Sequence, residues 1–535
     1  MQRWNGWGDA RTDYPLPENA HRWLRETLGP LEPPQDAPLD EVLAGLPEST
    51  LPDHALIATD REARLRHARG QSLPDWVALR SGRIGRVPDG VAYPEGEDDL
   101  EALYRFARQR GAVLIPYGGG TSVVGGITPE PESPPVITVD LQRMSKFLNY
   151  DETSRLATFG AGIRGPNLEA ALRAHNATLG HFPQSFERST LGGWVATRSS
   201  GQQSLYYGRI EDHFAGGRMI SPCGPLVMPP FPASAAGPDL RQMVLGSEGR
   251  MGIISEVTVR VSPLPEYEAF HAVFFPTWQQ GVQAVREMVQ ARLPLSMLRL
   301  SNAAETEANL TLAGHEKLVN AAHTGLRVLG QQRGEKCMLL FGATGPANQV
   351  RTARRDALRI ARKHGGFHTG RYMGTKWAEG RFRTPYLRNT LWEHGVAIDT
   401  LETIVPWARV EMAADAIQTA IRQAAEAVNE PVFVFAHLSH LYTSGASIYI
   451  TYLFHVRPDS MLANWHRMKG AASRAIVEHG GSITHQHAVG TDHAPYLEAE
   501  KGPLGMALIG EMIDTCDPDR LLNPGKLIKE VPHVG

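Results

Sequence analysis

Residues 116–126 read PYGGGTSVVGG, the most distinctive stretch of the chain. Glycine lets the backbone turn with positive φ and approach a ligand closely. Successive N–H groups in such a loop form an anion-binding concavity, and Thr121 and Ser122 add hydroxyl donors. The stretch is not a Walker A loop, because no Gly-Lys-Ser/Thr follows. It is not GxGxxG either, because Val123 stands at the third glycine. A diphosphate fits this pattern, although an isolated glycine cluster is more often an ordinary turn.

The segments around this loop predict a mixed α+β chain. A helix over 98–110 ends at Gly111 and leads into a buried strand, 113–116, which runs into the loop. Further strands are predicted at 136–141, 158–163, 253–261, 337–343, 432–437 and 447–455. Further helices are predicted at 18–28, 59–69, 167–175, 279–291, 346–363 and 460–479. Pro263 and Pro265 mark a boundary between two lobes.

Composition narrows the class of protein. The chain has 535 residues, 42% of them hydrophobic and 21% charged, which excludes a disordered chain. Its net charge of −3 gives no basic surface for nucleic acid. Three separated cysteines without a CxxC pair disfavour a disulfide or zinc scaffold and favour a reducing, cytoplasmic location. The sequence shows no secretory signal and no apolar run approaching about 18 residues.

Three later stretches of sequence support a ligand-binding role for the glycine loop. They are PQSFERSTLGGWVATRSSG (183–201), GSEGRMGIISEVTV (246–259) and NPGKL (523–527). With the loop they resemble the flavin-binding domain of the vanillyl-alcohol oxidase family, in which such segments wrap the FAD diphosphate and ring. The resemblance implies a two-lobed α+β fold of that type, with a substrate (cap) domain built on a mixed or antiparallel sheet with helices. It also implies non-covalent FAD, because the loop has no histidine or cysteine for attachment.

The resemblance divides the chain into four parts. We expect an N-terminal helical segment (1–85), an FAD-binding domain (86–264), a substrate domain (265–480) and a C-terminal segment that returns to the flavin domain (481–535).

Further motifs resemble one branch, the alkyldihydroxyacetonephosphate synthases, which make the ether bond of ether lipids. The motifs include RWNGWGD (3–9), YGRIED (207–212), LSMLRLSNA (295–303), YLRNTLWEHGVAIDTLET (386–403), HLYTSGASIYITYLF (440–454) and ITHQHAVG (483–490). The resemblance implies exchange of the acyl chain of acyl-dihydroxyacetone phosphate for a fatty alcohol through a flavin N5 adduct. An FAD-dependent dehydrogenase or oxidase of a 2-hydroxy acid or glycerol phosphate stays open, as does a flavin protein without turnover.

The flavin contacts implied by the resemblance lie in four segments of the first lobe. They are Pro116, Tyr117, Gly118, Gly119, Gly120, Thr121 and Ser122; Gln184, Ser185, Ser189 and Thr190; Thr197, Arg198, Ser199 and Ser200; and Glu248, Gly249, Gly252, Ile253 and Ile254.

Two arginines are substrate-binding candidates. Arg388 aligns with the substrate-binding arginine of the resembled enzymes, and Arg299 aligns with a second functional arginine. Planar guanidinium groups suit a phosphate or carboxylate. The alternative for each is an ion pair without a role in binding.

Tyr449, His485 and His487 are the catalytic candidates. Tyr449 aligns with the catalytic tyrosine, and the two histidines with the outer members of three consecutive histidines, of which Gln486 replaces the middle one. Nearby cations would lower the tyrosine pKa toward the working range. The spacing of the histidines predicts that both face one side of a strand and share a ligand.

The remaining expectations concern metals, partners and membranes. The histidines at 437, 440, 485, 487 and 493 are dense, but HLYTSGAS (440–447) lacks the HxGDGNxH pattern of related metal-binding dehydrogenases, so we expect no metal. We expect a phosphorylated or acidic lipid substrate, no nucleic acid, a homodimer and peripheral contact with a membrane. Trp4 and Trp7 either pack on the protein body or dip into a bilayer surface.

Overall fold

The computed structural model describes residues 2–312 and 336–528. Within them the helices are α1 Glu18–Leu28, α2 Leu39–Gly45, α3 Arg61–Arg66, α4 Leu73–Ser81, α5 Glu97–Arg110, α6 Gly165–Arg173, α7 Leu191–Thr197, α8 Ser204–Tyr207, α9 Ile210–His213, α10 Arg241–Val244, α11 Trp278–Gln290, α12 Ala303–Leu312, α13 Ala347–Lys363, α14 Tyr372–Gly380, α15 Thr384–Glu393, α16 Val410–Glu426, α17 Met461–Glu478 and α18 Leu497–Cys516. The strands are β1 Ile57–Ala58, β2 Gly90–Ala92, β3 Val113–Tyr117, β4 Val136–Asp140, β5 Phe147–Asp151, β6 Leu156–Gly160, β7 Ala177–Thr178, β8 Phe214–Ser221, β9 Gly224–Met228, β10 Ile253–Arg260, β11 Ser262–Pro263, β12 Tyr267–Phe275, β13 Met297–Ser301, β14 Cys337–Gly345, β15 Phe367–His368, β16 Val396–Pro406, β17 Phe433–Leu441 and β18 Gly445–His455.

The predicted elements agree with the structure apart from their ends. The helix expected over 59–69 is shorter, because Asp60 caps its start by accepting a hydrogen bond from the Ala63 N–H. The helix expected from Asn167 begins two residues earlier, with Pro166 in its first turn, where a missing N–H costs nothing. Local periodicity therefore predicted the elements, and capping chemistry set their limits.

In the first lobe β7 and β11 form a small antiparallel pair, and two larger sheets carry the remaining strands. One has the order β1-β2-β4-β3, and its strands β2, β4 and β3 are parallel, with α5 as the crossover between β2 and β3. The other is antiparallel, with the order β5-β6-β10-β8-β9. The glycine loop follows the carboxyl end of β3, an edge where ligands commonly bind.

The second lobe is a seven-stranded antiparallel sheet with the order β15-β12-β14-β13-β17-β18-β16. Helices α11, α13 and α16 pack against it. Along β18, Ile448 and Ile450 are fully buried in the core, so alternation turns Tyr449 to the opposite face. Glu402 of β16 and His437 of β17 lie opposite Tyr449 in the strand register.

Both ends of the described chain return to the lobes. A parallel bridge joins Leu522 to Leu114 of β3. Near the start, the Trp7 N–H donates to Asn389 Oδ1 at 3.0 Å, and Asn389 Nδ2 donates to the Trp7 carbonyl at 2.9 Å. Trp7 therefore packs on the protein body, beside α15. The four-part division of the chain stays a prediction.

Within residues 2–312 and 336–528, no helix combines the length and apolar character that crossing a bilayer requires.

Candidate functional site

A long cleft, here called the central cleft, lies between the first lobe and the seven-stranded sheet. Predicted flavin contacts that line it are Pro116, Tyr117, Gly118, Gly119, Gly120, Thr121, Ser122, Gln184, Ser185, Ser189, Thr190, Thr197, Ser199, Ser200, Glu248, Gly249, Gly252, Ile253 and Ile254. Arg388, Tyr449 and His487 line the same cleft. The four predicted flavin segments, which are distant in sequence, thus lie in one cleft with the predicted substrate-binding and catalytic residues of the second half of the chain.

The glycine loop has the geometry of an anion cradle. None of the five N–H groups of residues 118–122 donates to an acceptor in the part of the chain that the structure describes. A Cβ on Gly119 would stand 2.0 Å from the Arg188 carbonyl oxygen, and one on Gly118 would stand 2.3 Å from Thr190 Oγ1. The loop backbone therefore lies directly on the next predicted flavin segment, and its unused donors fit a diphosphate.

Glu248 joins the fourth flavin segment to the C-terminal part of the chain. Its two carboxylate oxygens accept hydrogen bonds from the Val489 N–H at 2.7 Å and the Gly490 N–H at 2.8 Å. Burial raises the pKa of Glu248 to about 7, and the two N–H groups oppose that shift. Asn523 Nδ2 donates to the Glu248 carbonyl at 2.8 Å and to the Gly126 carbonyl at 3.0 Å. NPGKL therefore closes the cleft by hydrogen bonding.

Arg198 differs from the other predicted flavin contacts. It caps α7 with a left-handed backbone at φ 52°, and its side chain turns away from the central cleft. Its Nε donates to the Leu245 carbonyl at 3.1 Å, and its Nη2 donates to the Gln242 carbonyl at 3.1 Å. The guanidinium thus ties the end of α7 to the helix α10 and the residue that follows it.

Arg388 is a buried cation that forms no ion pair with a carboxylate among the described residues, although Asp399 and Asp75 favour its charged form. Its guanidinium carbon lies 4.3 Å from the ring centre of Trp76, and its Nη1 donates to the Gln71 carbonyl. The Nε and Nη2 atoms are buried and have no acceptor among the described residues. Burial lowers the pKa of Arg388 to about 10, so the group stays charged at neutral pH. A buried cation with unused donors fits an anionic ligand.

Arg299 is placed differently. Its Nη2 lies 2.6 Å from Glu305 Oε1, and His437 Nδ1 lies 2.9 Å from the same oxygen. Burial favours a higher pKa for Glu305, but Arg299 and His437 hold it at about 2. Arg299 and His437 border a side pocket, which meets the central cleft at residues that include Tyr449 and Gln486. The charge of Arg299 is therefore already balanced within the protein.

Tyr449 sits between two histidine rings. It stacks on His437, with ring centres 4.8 Å apart, and meets the ring of His487 edge to face at 5.5 Å. Burial raises the pKa of Tyr449, while burial lowers the pKa of His487. The expectation that histidine cations lower the tyrosine pKa is therefore wrong, because desolvation keeps both groups neutral.

The two predicted catalytic histidines lie in different places, because His487 lines the central cleft and His485 does not. Residues 482–490 form a loop rather than a strand, so the expectation of one shared face is wrong. His485 lies outside the central cleft, where its Nε2 and the Tyr442 hydroxyl share a 2.7 Å hydrogen bond. Its ring stacks on His440, whose Nδ1 lies 3.0 Å from the Ser200 hydroxyl. Burial holds the pKa of His485 well below its usual value.

Several residues of the cleft were not predicted as site residues. They include Trp7, Gln71, Trp76, Asp399, Thr400 and Asn523. Trp7 belongs to the motif RWNGWGD and Asn523 to the motif NPGKL. The motifs therefore pointed to these two regions of the sequence, but they did not show which of their residues line the cleft. Among the residues that the structure describes, no group of three or more His, Cys, Asp or Glu side chains could hold a metal ion.

Comparison with known proteins places this site in a class. An FAD binding domain matches residues 88–228, and the C-terminal domain of FAD linked oxidases matches residues 264–527. The solved structure of p-cresol methylhydroxylase, 13% identical with a TM-score of 0.66, covers 95% of this chain and 96% of its own. The predicted two-lobed α+β fold of vanillyl-alcohol oxidase type is thereby confirmed. The chain is an FAD-dependent enzyme of the FAD-linked oxidase type, and FAD is its cofactor.

Nearer relatives narrow the class. The alkyldihydroxyacetonephosphate synthase of Dictyostelium discoideum is 30% identical over 99% of this chain and 94% of its own length. That of Caenorhabditis elegans is 30% identical over 99% and 96%. A solved alkyldihydroxyacetonephosphate synthase is 27% identical, with a TM-score of 0.83 over 98% of each chain. This chain belongs to the alkyldihydroxyacetonephosphate synthase family.

Replacing Gly119 with Val is expected to remove the flavin, because even a Cβ would collide with the Arg188 carbonyl and push the loop off its support. The flavin-to-protein ratio of the purified variant measures this loss. Gly45→Val is the control, since a Cβ there meets no atom within 4 Å. A Gly119→Val protein that keeps stoichiometric FAD with unchanged affinity contradicts the role of the loop.

Proposed function

We propose that this chain is an FAD-dependent alkyldihydroxyacetonephosphate synthase, which exchanges the acyl chain of acyl-dihydroxyacetone phosphate for a fatty alcohol. The observation that carries the proposal is Arg388. It is a buried cation with two unused donor atoms in the same cleft as the glycine loop and Tyr449. One cleft thus offers a diphosphate cradle for the cofactor, an anion site for a phosphorylated substrate and a phenol for proton transfer.

Arg388 binds the substrate phosphate in this proposal. Its position on α15 is fixed from two sides, because Trp76 supports the guanidinium face and the Gln71 carbonyl holds Nη1. The remaining donors are therefore pre-organised, and little side-chain entropy is lost when the phosphate binds. Arg299, already paired with Glu305, is less suited to bind an anion and shapes the side pocket instead.

Tyr449 moves the proton in this proposal. The reaction removes a proton from C1 of the substrate, releases the acyl group and admits the alcohol. A phenol with a raised pKa holds its proton at neutral pH, and the neutral ring of His487 beside it can accept one. The pair can therefore take up the C1 proton on His487, which gains one positive charge, and lose that charge when the proton is given back. FAD, when bound, supplies a ring nitrogen that assists the exchange without net redox.

Mass spectrometry of the products tests the proposal. The purified holoenzyme, given acyl-dihydroxyacetone phosphate and a fatty alcohol, should release alkyl-dihydroxyacetone phosphate and a fatty acid. In a parallel anaerobic experiment, a 2-hydroxy acid or glycerol 3-phosphate should not bleach the flavin. Lasting bleaching without an ether product would identify a dehydrogenase instead.

Arg388→Met is expected to raise KM for acyl-dihydroxyacetone phosphate by at least about tenfold, because a charged hydrogen bond contributes about 1.5–3 kcal/mol. The bound flavin should stay. Steady-state kinetics and the flavin absorbance check both points. Arg351→Met, on the exposed side of α13, is the matched control and should behave as wild type. A normal KM in Arg388→Met would show that the phosphate binds elsewhere.

Tyr449→Phe is expected to lower kcat by about 10²–10⁴-fold, the usual contribution of a positioned acid or base. The ring still packs between the two histidines, so FAD should remain bound and KM should change little. Tyr267→Phe, at an exposed position of the same sheet, serves as the control. Loss of flavin from Tyr449→Phe would assign the tyrosine to cofactor packing rather than to proton transfer.

The cytoplasmic location, the homodimer and the peripheral membrane contact stay predictions. The apolar chains of the proposed substrates are the reason for expecting a membrane nearby.

A further inference from the structure

We propose that Glu402 is the positioning residue that holds residues 484–487, here called the histidine segment, against the central cleft. The proposal rests on the proposed function, because the segment carries His487 to Tyr449. Glu402 lies on β16, directly opposite Tyr449 of β18 in the strand register, and is fully buried.

One oxygen of Glu402 collects four hydrogen bonds. Its Oε1 accepts from the backbone N–H groups of His485 at 3.1 Å, Gln486 at 2.5 Å and His487 at 2.8 Å. The Thr484 hydroxyl donates to the same oxygen at 3.3 Å. Three successive N–H groups therefore converge on a single acceptor, as they do around a bound anion.

The histidine segment depends on this contact. It belongs to no helix or strand, so its N–H groups have no ladder of their own. Buried N–H groups without an acceptor are costly, and bonds to a carboxylate are stronger than those to a neutral acceptor. Loss of the Oε1 acceptor would thus leave several buried donors unsatisfied and free the segment to move.

Glu402 also links the two catalytic candidates. Tyr449 lies opposite Glu402 in the strand register, and the His487 N–H donates to the Glu402 side chain. Glu402 therefore sets how closely the His487 ring approaches the Tyr449 ring. His485 Nδ1 lies 3.9 Å from Oε2, and neither atom has a hydrogen-bond partner among the described residues. Oε2 is therefore not needed to hold the backbone. The position of Oε1, which is set by the length of the side chain, determines whether the histidine segment is held.

Glu430 offers a matched comparison. It is a second buried carboxylate in the same lobe, with Oε1 accepting from the His455 N–H at 3.2 Å and Oε2 accepting from Asn464 Nδ2 at 3.0 Å. It does not border the central cleft. Its removal should cost stability without touching the reaction.

Two variants separate the effect of the side-chain length of residue 402 from the effect of its charge. Glu402→Gln keeps an oxygen at the same distance and loses the charge, whereas Glu402→Asp keeps the charge and withdraws the oxygen by one methylene. We expect Glu402→Gln to keep kcat per bound flavin within about fivefold. We expect Glu402→Asp to lose at least about tenfold, with KM for acyl-dihydroxyacetone phosphate changed less than about threefold. The reverse order, an active Asp and an inactive Gln, would overturn positioning.

Amide hydrogen exchange gives a test that does not depend on turnover. In the holoenzyme, peptides that cover the histidine segment should exchange slowly in wild type and Glu402→Gln, and faster in Glu402→Asp. Glu430→Leu is the control, with a lowered Tm but unchanged protection of the segment and unchanged kcat per flavin. Equal protection in all Glu402 variants would overturn the proposal. If the ether-forming activity itself is absent, kcat vanishes in wild type while the exchange pattern still decides the role of Glu402.

Discussion

The close approach of two backbone segments underlies the whole cofactor site. Gly118 and Gly119 have no side chains, so the glycine loop lies on residues 188–190 at a distance that any Cβ would forbid. The five unused N–H groups of the loop then face the cleft together. Glu248 and Asn523 extend this contact to the C-terminal part of the chain by hydrogen bonds. The cleft is thus a product of backbone geometry more than of particular side chains.

Burial decides the electrostatics of the reaction site. Desolvation disfavours the charged form of every titratable group, so the histidines around Tyr449 are neutral and the phenol keeps its proton. Arg388 stays charged because the pKa of a guanidinium is too high for burial to neutralise it. The cleft thus combines the charged Arg388, whose unused donors suit a phosphate, with the neutral rings of Tyr449 and His487. Asp399 lines the same cleft, and Lys469 and Arg388 outweigh burial and lower its pKa, so it adds a negative charge.

Much of this arrangement could be predicted from the sequence, and the exceptions have physical causes. The helices and strands are local patterns, so periodicity was sufficient to predict them. The family resemblance predicted the flavin segments, and the structure brings them together in one cleft. The histidine segment was mispredicted as a strand because its conformation comes from Glu402, more than 80 positions earlier. The difference between Arg388 and Arg299 was also invisible, because it depends on whether a carboxylate lies beside each guanidinium in space.

The return of the C-terminal part to the first lobe has a consequence for the order of events during synthesis. Leu522 pairs with β3, and Asn523 bonds two of the cofactor segments, although both residues follow the entire second lobe. A nascent chain that has completed only the first lobe therefore exposes an unfinished cleft. Completion of the cleft consequently has to await residues 522–523, which are synthesised after the second lobe.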